Sequence, residues 1–255
     1  MVDDTALAAG IREAALAAGA AILKVYASDF RIAAKADASP VTAADEAAEA
    51  IILRHLARLT PGLPVVAEEA VAAGHVPEVS GGDFWLVDPL DGTREFISRN
   101  GEFTVNIALV RAGRPVLGVV LAPARELLYL ATGPGRATRE AQGEAPCTIA
   151  VRRQPDEGAT VVLSRSHRSP ETDAWLAGVN VARQVDAGSS LKLCLVAEGS
   201  ADLYPRLGRT MEWDIAAGQA VLEAAGGSVT TLDGRPLRYG KPGFENPHFV
   251  ARGGS

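Results

Sequence analysis

A chain of 255 residues that is 47% hydrophobic can bury a large core, in one domain or in two closely apposed lobes. Its 25 basic and 31 acidic residues leave a formal net charge of −6, which argues against a nucleic-acid partner, because affinity for that backbone needs a basic face. Only two cysteines occur, Cys147 and Cys194, in no CxxC pair; this points away from a disulfide scaffold or zinc site and toward a reducing cytoplasm.

The chain opens Met1-Val2-Asp3-Asp4, with acid where a secretory signal needs basic residues. Residues 5–26 then carry Leu7, Ile11, Ala14, Ala18, Ile22 and Val25 at helical spacing, and a second helix is expected over 42–59. Val65-Val66-Ala67 is a short apolar run ending in the acids Glu68 and Glu69. Phe84–Val87 reads as a strand buried on both faces. A meander follows, as Phe103–Val110, Val116–Leu121 and Leu127–Ala131, with turns at Ala112-Gly113 and near Pro123. Past residue 145, strands are expected at 160–163, 179–185 and 201–204, and helices at 170–177, 189–198 and 214–225. Gly226-Gly227 ends the last helix, Asp233-Gly234 reads as a hairpin turn, and Gly253-Gly254-Ser255 as a tail. No run of 18 apolar residues occurs, so no transmembrane segment is expected; peripheral attachment to an inner membrane leaves no mark in a sequence. The pattern suggests stacked α and β layers, in one unit with lobes at about 1–150 and 151–255.

The acids are concentrated at element ends. Asp88 and Asp91 sit in Asp88-Pro89-Leu90-Asp91-Gly92-Thr93, directly after the strand at 84–87. Strand ends open into the crevices where α/β proteins place ligands. Two carboxylates held close repel unless one is protonated or a cation lies between them, and oxygen-only ligation favours Mg²⁺. A turn with two solvated aspartates would account for the same residues. Asp214 looks like an N-cap, and that role alone would also explain it. Three acidic ends together, with Glu68, are what a two-metal phosphate site needs.

Glu68-Glu69, Trp85–Thr93 and Trp213-Asp214-Ile215-Ala216-Ala217-Gly218 resemble the motif set of the inositol monophosphatase superfamily in order and spacing. The similarity runs from Lys35–Thr42 to the last strand. Within that superfamily Arg94–Asn106, Ser164-Arg165-Ser166-His167, Gly188–Gly199 and Leu203-Tyr204-Pro205-Arg206 resemble the 3′(2′),5′-bisphosphate nucleotidases of the CysQ type. Arg94 stands where many members have lysine. The resemblance implies a layered α-β-α-β-α sandwich of the inositol monophosphatase and fructose-1,6-bisphosphatase type. It also implies two or three Mg²⁺ ions held by Glu68, Asp88, Asp91, Asp214 and the Leu90 carbonyl. Thr93, oriented by Asp45, would position or deprotonate the attacking water, with Glu68 sharing in catalysis. The implied reaction removes the 3′-phosphate of adenosine 3′,5′-bisphosphate, and that of its phosphosulfate analogue is a further candidate.

Glu68, Leu90, Asp91, Gly92, Thr93 and Asp214 would then border the reacting phosphate. Ser189, Lys192 and Arg206 would hold the second one, and His167 would contact the nucleoside. Lys192 and Arg206 as ordinary surface cations is the plainer reading. Within the superfamily an inositol monophosphatase is the alternative; outside it, a phosphate-binding protein without catalysis. Asp88 and Asp91 are three apart rather than two, unlike the DxDxT loop of aspartyl-phosphate phosphatases, and no GxSxG or P-loop occurs. The expected molecule is a cytoplasmic monomer or homodimer with a small phosphorylated nucleotide as its partner.

Overall fold

The computed structural model describes residues 3–30, 32–34, 40–166 and 169–254. Helix α1 (Asp4–Tyr26) leads through a short hairpin, β1 (Ile32–Ala34) and β2 (Pro40–Thr42), into α2 (Ala43–Leu59). Then come β3 (Val65–Ala67), α3 (Glu68–Ala72), β4 (Phe84–Asp91) and α4 (Thr93–Ile97). The meander is β5 (Thr104–Arg111), β6 (Arg114–Ala122), β7 (Leu127–Ala131), β8 (Ala137–Ala141) and β9 (Cys147–Thr148). The remainder comprises β10 (Ala159–Ser164), α5 (Pro170–Leu176), β11 (Val181–Ala187), α6 (Leu191–Ala197) and β12 (Leu203–Arg206). It ends with α7 (Glu212–Ala224), β13 (Ser228–Thr231) and β14 (Phe249–Arg252).

Among the described residues there are two large sheets. The first has the order β3-β4-β5-β6-β7-β8-β9, with β3 parallel to β4 and every later pair antiparallel. The second runs β11-β10-β12-β14-β13, parallel among β10, β11 and β12 and antiparallel across β14. Because side chains alternate along a strand, β4 sends Trp85 and Val87 to one face and Phe84 and Leu86 to the other. The first pair packs with Leu7, Ile11 and Ile22 of α1 and Ile52 and Leu56 of α2. The second pair meets Leu193 of α6 and Val221 and Leu222 of α7, which also cover Tyr204, Phe249 and Ala251 of the second sheet. On that sheet's far side Val161, Leu163 and Leu203 pack against Leu176 of α5. The layers are therefore α-β-α-β-α.

Two helices show why these residues fold locally as they do. α1 buries Leu7, Ile11, Ala14, Ala18 and Ile22 along one stripe. α2 starts on a capping box, in which Thr42 Oγ1 accepts from Ala44 N at 3.1 Å and Asp45 Oδ2 accepts from Thr42 N at 2.8 Å. α1 bears on the expectation about membrane-length segments. It is long and apolar enough, by length and composition only, to cross a membrane, because its alanines add apolar character without forming an unbroken apolar run. Here its apolar stripe is core, packed on α2 and β6.

The strands expected at 179–185 and 201–204 begin two residues later. Val179 N donates to Leu176 O and Ala201 N to Leu195 O, so both starts belong to the closing turns of the preceding helices. β8 and β9 were not anticipated, being half-exposed and two residues long respectively. The Asp233-Gly234 turn forms, with Gly234 at φ +83° and Gly234 N donating to Thr231 O. Both cysteines are free thiols, Cys147 exposed and Cys194 buried.

β6 passes directly beneath α7 at Gly118. A Cβ there would lie 2.7 Å from Ala217 O and 2.8 Å from Ala220 Cβ. Gly118→Ala should therefore destabilise the protein by about 1–3 kcal/mol in chemical denaturation, through overpacking. An unchanged midpoint would mean that α7 can back away from the sheet.

Candidate active site

Two aspartates three residues apart on a regular strand point to opposite faces. β4 departs from that pattern. Asp88 stands opposite Asn106 but Asp91 stands opposite Thr104, so β4 carries one residue more than β5 across this interval. This is a β-bulge, and it returns Asp91 to the face that Asp88 occupies. Pro89, which has no N–H to give to a ladder, lies inside the bulge, and Leu90 N donates to Asp88 Oδ1 at 3.1 Å. The two aspartates thus converge within a strand that runs to Asp91, and not in a turn beginning after Val87. Their shared face is that of Leu86 and Ala108, turned toward α6 and α7.

The other acids come from neighbouring ends. β3 pairs parallel with β4, Ala67 beside Val87, so Glu68 leaves its strand next to Asp88. Asp214 is the third residue of α7 and not its N-cap; its Oδ2 accepts from Met211 N at 2.9 Å. A cavity of about 340 Å³ is bordered by Glu68, Asp91, Gly92, Thr93, Ser189, Lys192, Arg206 and Asp214. An adjoining cleft adds Asp88 and Leu90 and shares Glu68, Asp91, Gly92, Thr93 and Asp214.

Burial and like charge dominate the electrostatics. Desolvation raises the Asp91 carboxyl to about 6; Lys192 opposes this, and Glu95 and Glu68 add to it. Asp214 is pushed well above the carboxylate range by desolvation, then by Asp91 and Glu68. The donor set is oxygen only, as a hard cation requires. Among the described residues no three acid, histidine or cysteine groups meet at a single point, so the carboxylates border the cavity without closing into a cage.

The cavity's other side is basic. The buried Lys192 ammonium donates to the Ser189 carbonyl and lies 5.4 Å from the centre of the Tyr204 ring. Desolvation lowers it to about 8, against the pull of Asp91. Arg206 Nη2 donates to Arg209 O at 3.0 Å. Ser189 lies in a left-handed turn before α6, at φ 50°, and not within the helix; its Oγ donates to Asp91 O at 2.9 Å.

Two expected placements need comment. Asp45 is buried at the head of α2, where its Oδ2 also accepts from Thr42 Oγ1 at 2.8 Å, and among the described residues no hydrogen bond joins it to Thr93. The capping box engages Oδ2 of this carboxylate. His167 lies outside the described residues. Sequence reasoning missed Glu95 and Glu102, both buried carboxylates bordering the turn that carries Ser189. Glu95 Oε1 accepts from Ser166 Oγ at 2.5 Å, and a Cβ on Gly188 would lie 2.8 Å from Glu95 Cγ and 2.9 Å from Glu102 Cβ.

Residues 3–251 match the sequence model of the inositol monophosphatase family. The chain belongs to the inositol monophosphatase family. Among its relatives, the 3′(2′),5′-bisphosphate nucleotidase CysQ of Salmonella typhimurium is 49% identical over 237 residues, covering 91% of this chain and 94% of that protein. CysQ of Escherichia coli K12 is 48% identical over the same shares. Among solved structures, CysQ from Bacteroides thetaiotaomicron superposes with a TM-score of 0.80 at 40% identity, covering 96% of each chain. The inositol monophosphatase from Anabaena superposes at 0.72 and 29% identity, covering 95% of this chain and 88% of that one. The layered sandwich of this inositol monophosphatase family member is thus the architecture its motifs implied.

Proposed function

We infer that this protein is a 3′(2′),5′-bisphosphate nucleotidase, a phosphomonoesterase releasing the 3′-phosphate of adenosine 3′,5′-bisphosphate as inorganic phosphate and leaving AMP. The observation that carries this reading is the two-sided cavity, with Glu68, Asp91 and Asp214 on one side and Lys192 and Arg206 on the other. A phosphate to be cleaved suits the acidic side once cations neutralise it, and a second phosphate suits the basic side. Inositol monophosphate has no second phosphate for that side to hold. Bisphosphate nucleotidases of about half-identical sequence support the same reading.

Glu68, Asp88, Asp91, Asp214 and the Leu90 carbonyl would hold Mg²⁺, two or three ions in our reading. When bound, Mg²⁺ supplies Lewis acidity toward the phosphoryl oxygens and lowers the pKa of water. The protein's own residues then bind and orient. The Gly92 and Thr93 amides, at the start of α4, face the departing phosphate, and the Thr93 hydroxyl, with Glu68, orients water for in-line attack on phosphorus. Lys192, still largely protonated at neutral pH, and Arg206 retain the 5′-phosphate.

Phosphate release should be measured from adenosine 3′,5′-bisphosphate, adenosine 3′-monophosphate and inositol 1-phosphate, with Mg²⁺ and with chelator. The bisphosphate should be preferred and chelator should remove the activity. Lys192→Ala should lower kcat/KM for the bisphosphate between about tenfold and a hundredfold, the worth of a charge-assisted contact, and should change adenosine 3′-monophosphate turnover little. Preference for inositol 1-phosphate would move the inositol phosphatase reading ahead. No phosphate release from any of the three would favour binding without catalysis.

A further inference from the structure

Glu102, Thr104 and Asn106 alternate with Phe103, Val105 and Ile107 along the chain entering β5. The apolar three pack toward α1 and α2. The polar three point the opposite way yet are buried, at 5%, 0% and 1% exposure. Each of them reaches the turn at 188–190. Glu102 Oε2 accepts from Gly188 N at 2.7 Å. Thr104 Oγ1 lies 2.9 Å from Ser190 Oγ, which donates to Asn106 Oδ1 at 2.6 Å. With the Ser190 proton given to Asn106, the Thr104 hydroxyl donates to Ser190. Glu102 is in turn clamped by Arg165, at 2.8 and 3.0 Å, and by Arg125, at 2.7 Å.

The turn so held is one that L-residues adopt uncommonly, since Ser189 sits at φ 50°. From it Ser189 Oγ reaches Asp91 O, and the Ser189 carbonyl receives the Lys192 ammonium. Gly188 is pressed against Glu102, where a Cβ would lie 2.9 Å from Glu102 Cβ and 3.0 Å from its backbone oxygen, so the head of β5 and the turn are in direct contact.

We propose that Glu102, Thr104 and Asn106 form a positioning ladder that holds the Gly188-Ser189-Ser190 turn and thereby aims Lys192 into the cavity, setting the preference for substrates with a second phosphate. None of the three touches substrate; they act through the turn. The specificity part rests on the bisphosphate reading above, while the positioning part does not.

The test uses Glu102→Gln and Thr104→Val in the full chain, with Thr104→Ser as the conservative rescue. Hydrogen exchange at amides 188–192 should quicken in both disruptive variants and return toward the wild-type rate in Thr104→Ser. Assayed with Mg²⁺, kcat/KM for adenosine 3′,5′-bisphosphate should fall about tenfold in Glu102→Gln, mainly through KM, and about threefold in Thr104→Val. The loss for adenosine 3′-monophosphate should be several times smaller. Wild-type exchange in both variants overturns the ladder, and equal losses on the two substrates overturn its role in specificity. If Glu102→Gln does not fold, the near-isosteric Thr104→Val decides with its serine rescue. A wild type without preference for the bisphosphate would overturn the substrate reading instead, leaving the exchange result to judge the ladder by itself.

Discussion

Gly92→Ala should lower kcat by about a hundredfold or more while leaving the protein folded. Gly92 occupies left-handed backbone, at φ 87° and ψ 47°, which costs an L-residue about 1–2 kcal/mol. The larger obstacle is space. A Cβ at this position would lie 2.1 Å from Ser189 Oγ and 3.2 Å from Glu95 Oε2. Ser189 would have to leave the Asp91 carbonyl, loosening the join between the turn before α6 and the end of β4. Asp91 and Thr93 flank the altered residue, so both the acidic wall and the water-orienting hydroxyl would shift. A misplacement of about 1 Å can cost about a hundredfold. Circular dichroism should show a native spectrum, and steady-state kinetics should show the loss in kcat. A variant retaining a third of wild-type kcat would mean that the close approach of Gly92 to Ser189 has no bearing on turnover.

Asp214→Asn should separate stability from activity, with opposite signs. The Asp214 carboxyl is raised by burial and by the negative charges of Asp91 and Glu68. Asparagine keeps a side-chain oxygen to accept from Met211 N, so the start of α7 survives. What disappears is a buried carboxyl whose ordinary ionisation is opposed by desolvation and by Asp91 and Glu68, a cost that the unfolded chain does not bear. In chelator the variant should therefore unfold at a higher temperature than the wild type, by a few degrees, corresponding to about 1 kcal/mol. In Mg²⁺ its turnover should fall by about a hundredfold or more, because a neutral amide ligates a hard cation poorly. A lower Tm in chelator would show that Asp214 stabilises the fold as an ion-pair partner, contrary to this account.

Much of the architecture could be read from pattern. α1, α2 and the three long meander strands carry unbroken periodicities, and the apolar run at Phe84 announced a strand covered on both sides. The acidic motifs also pointed to the right neighbourhood, but the device that aligns Asp88 with Asp91 could not be read. A Pro within an acidic stretch looks like a turn, whereas pairing with β5 makes it a bulge inside a longer strand. Asp45 illustrates a different limit. Thr42 three residues before it is a capping signature, and the bonds from Thr42 N and Oγ1 to its Oδ2 are the part of its role that pattern could give. Glu102 escaped notice because its partners Arg165 and Gly188 lie far along the chain. The alternation of Glu102, Thr104 and Asn106 with Phe103, Val105 and Ile107 reads as a strand with one wet face. Only the docking of the 188–190 turn onto that face makes it dry.

The helix bearing Asp214 packs on β4, β5 and β6 of the first sheet and also on β13 of the second. This has a consequence for the order in which the chain folds. Antiparallel neighbours from β4 to β8 are joined by short connections and can pair early, whereas Glu68 and Asp214 meet only by closing a loop of more than half the chain. During synthesis the first sheet can form while α7 is still unmade, so the nascent protein holds Asp88 and Asp91 without the acid that completes their wall. Mutual repulsion among the acids consequently burdens the late docking of α7 and spares the earlier zippering of the meander.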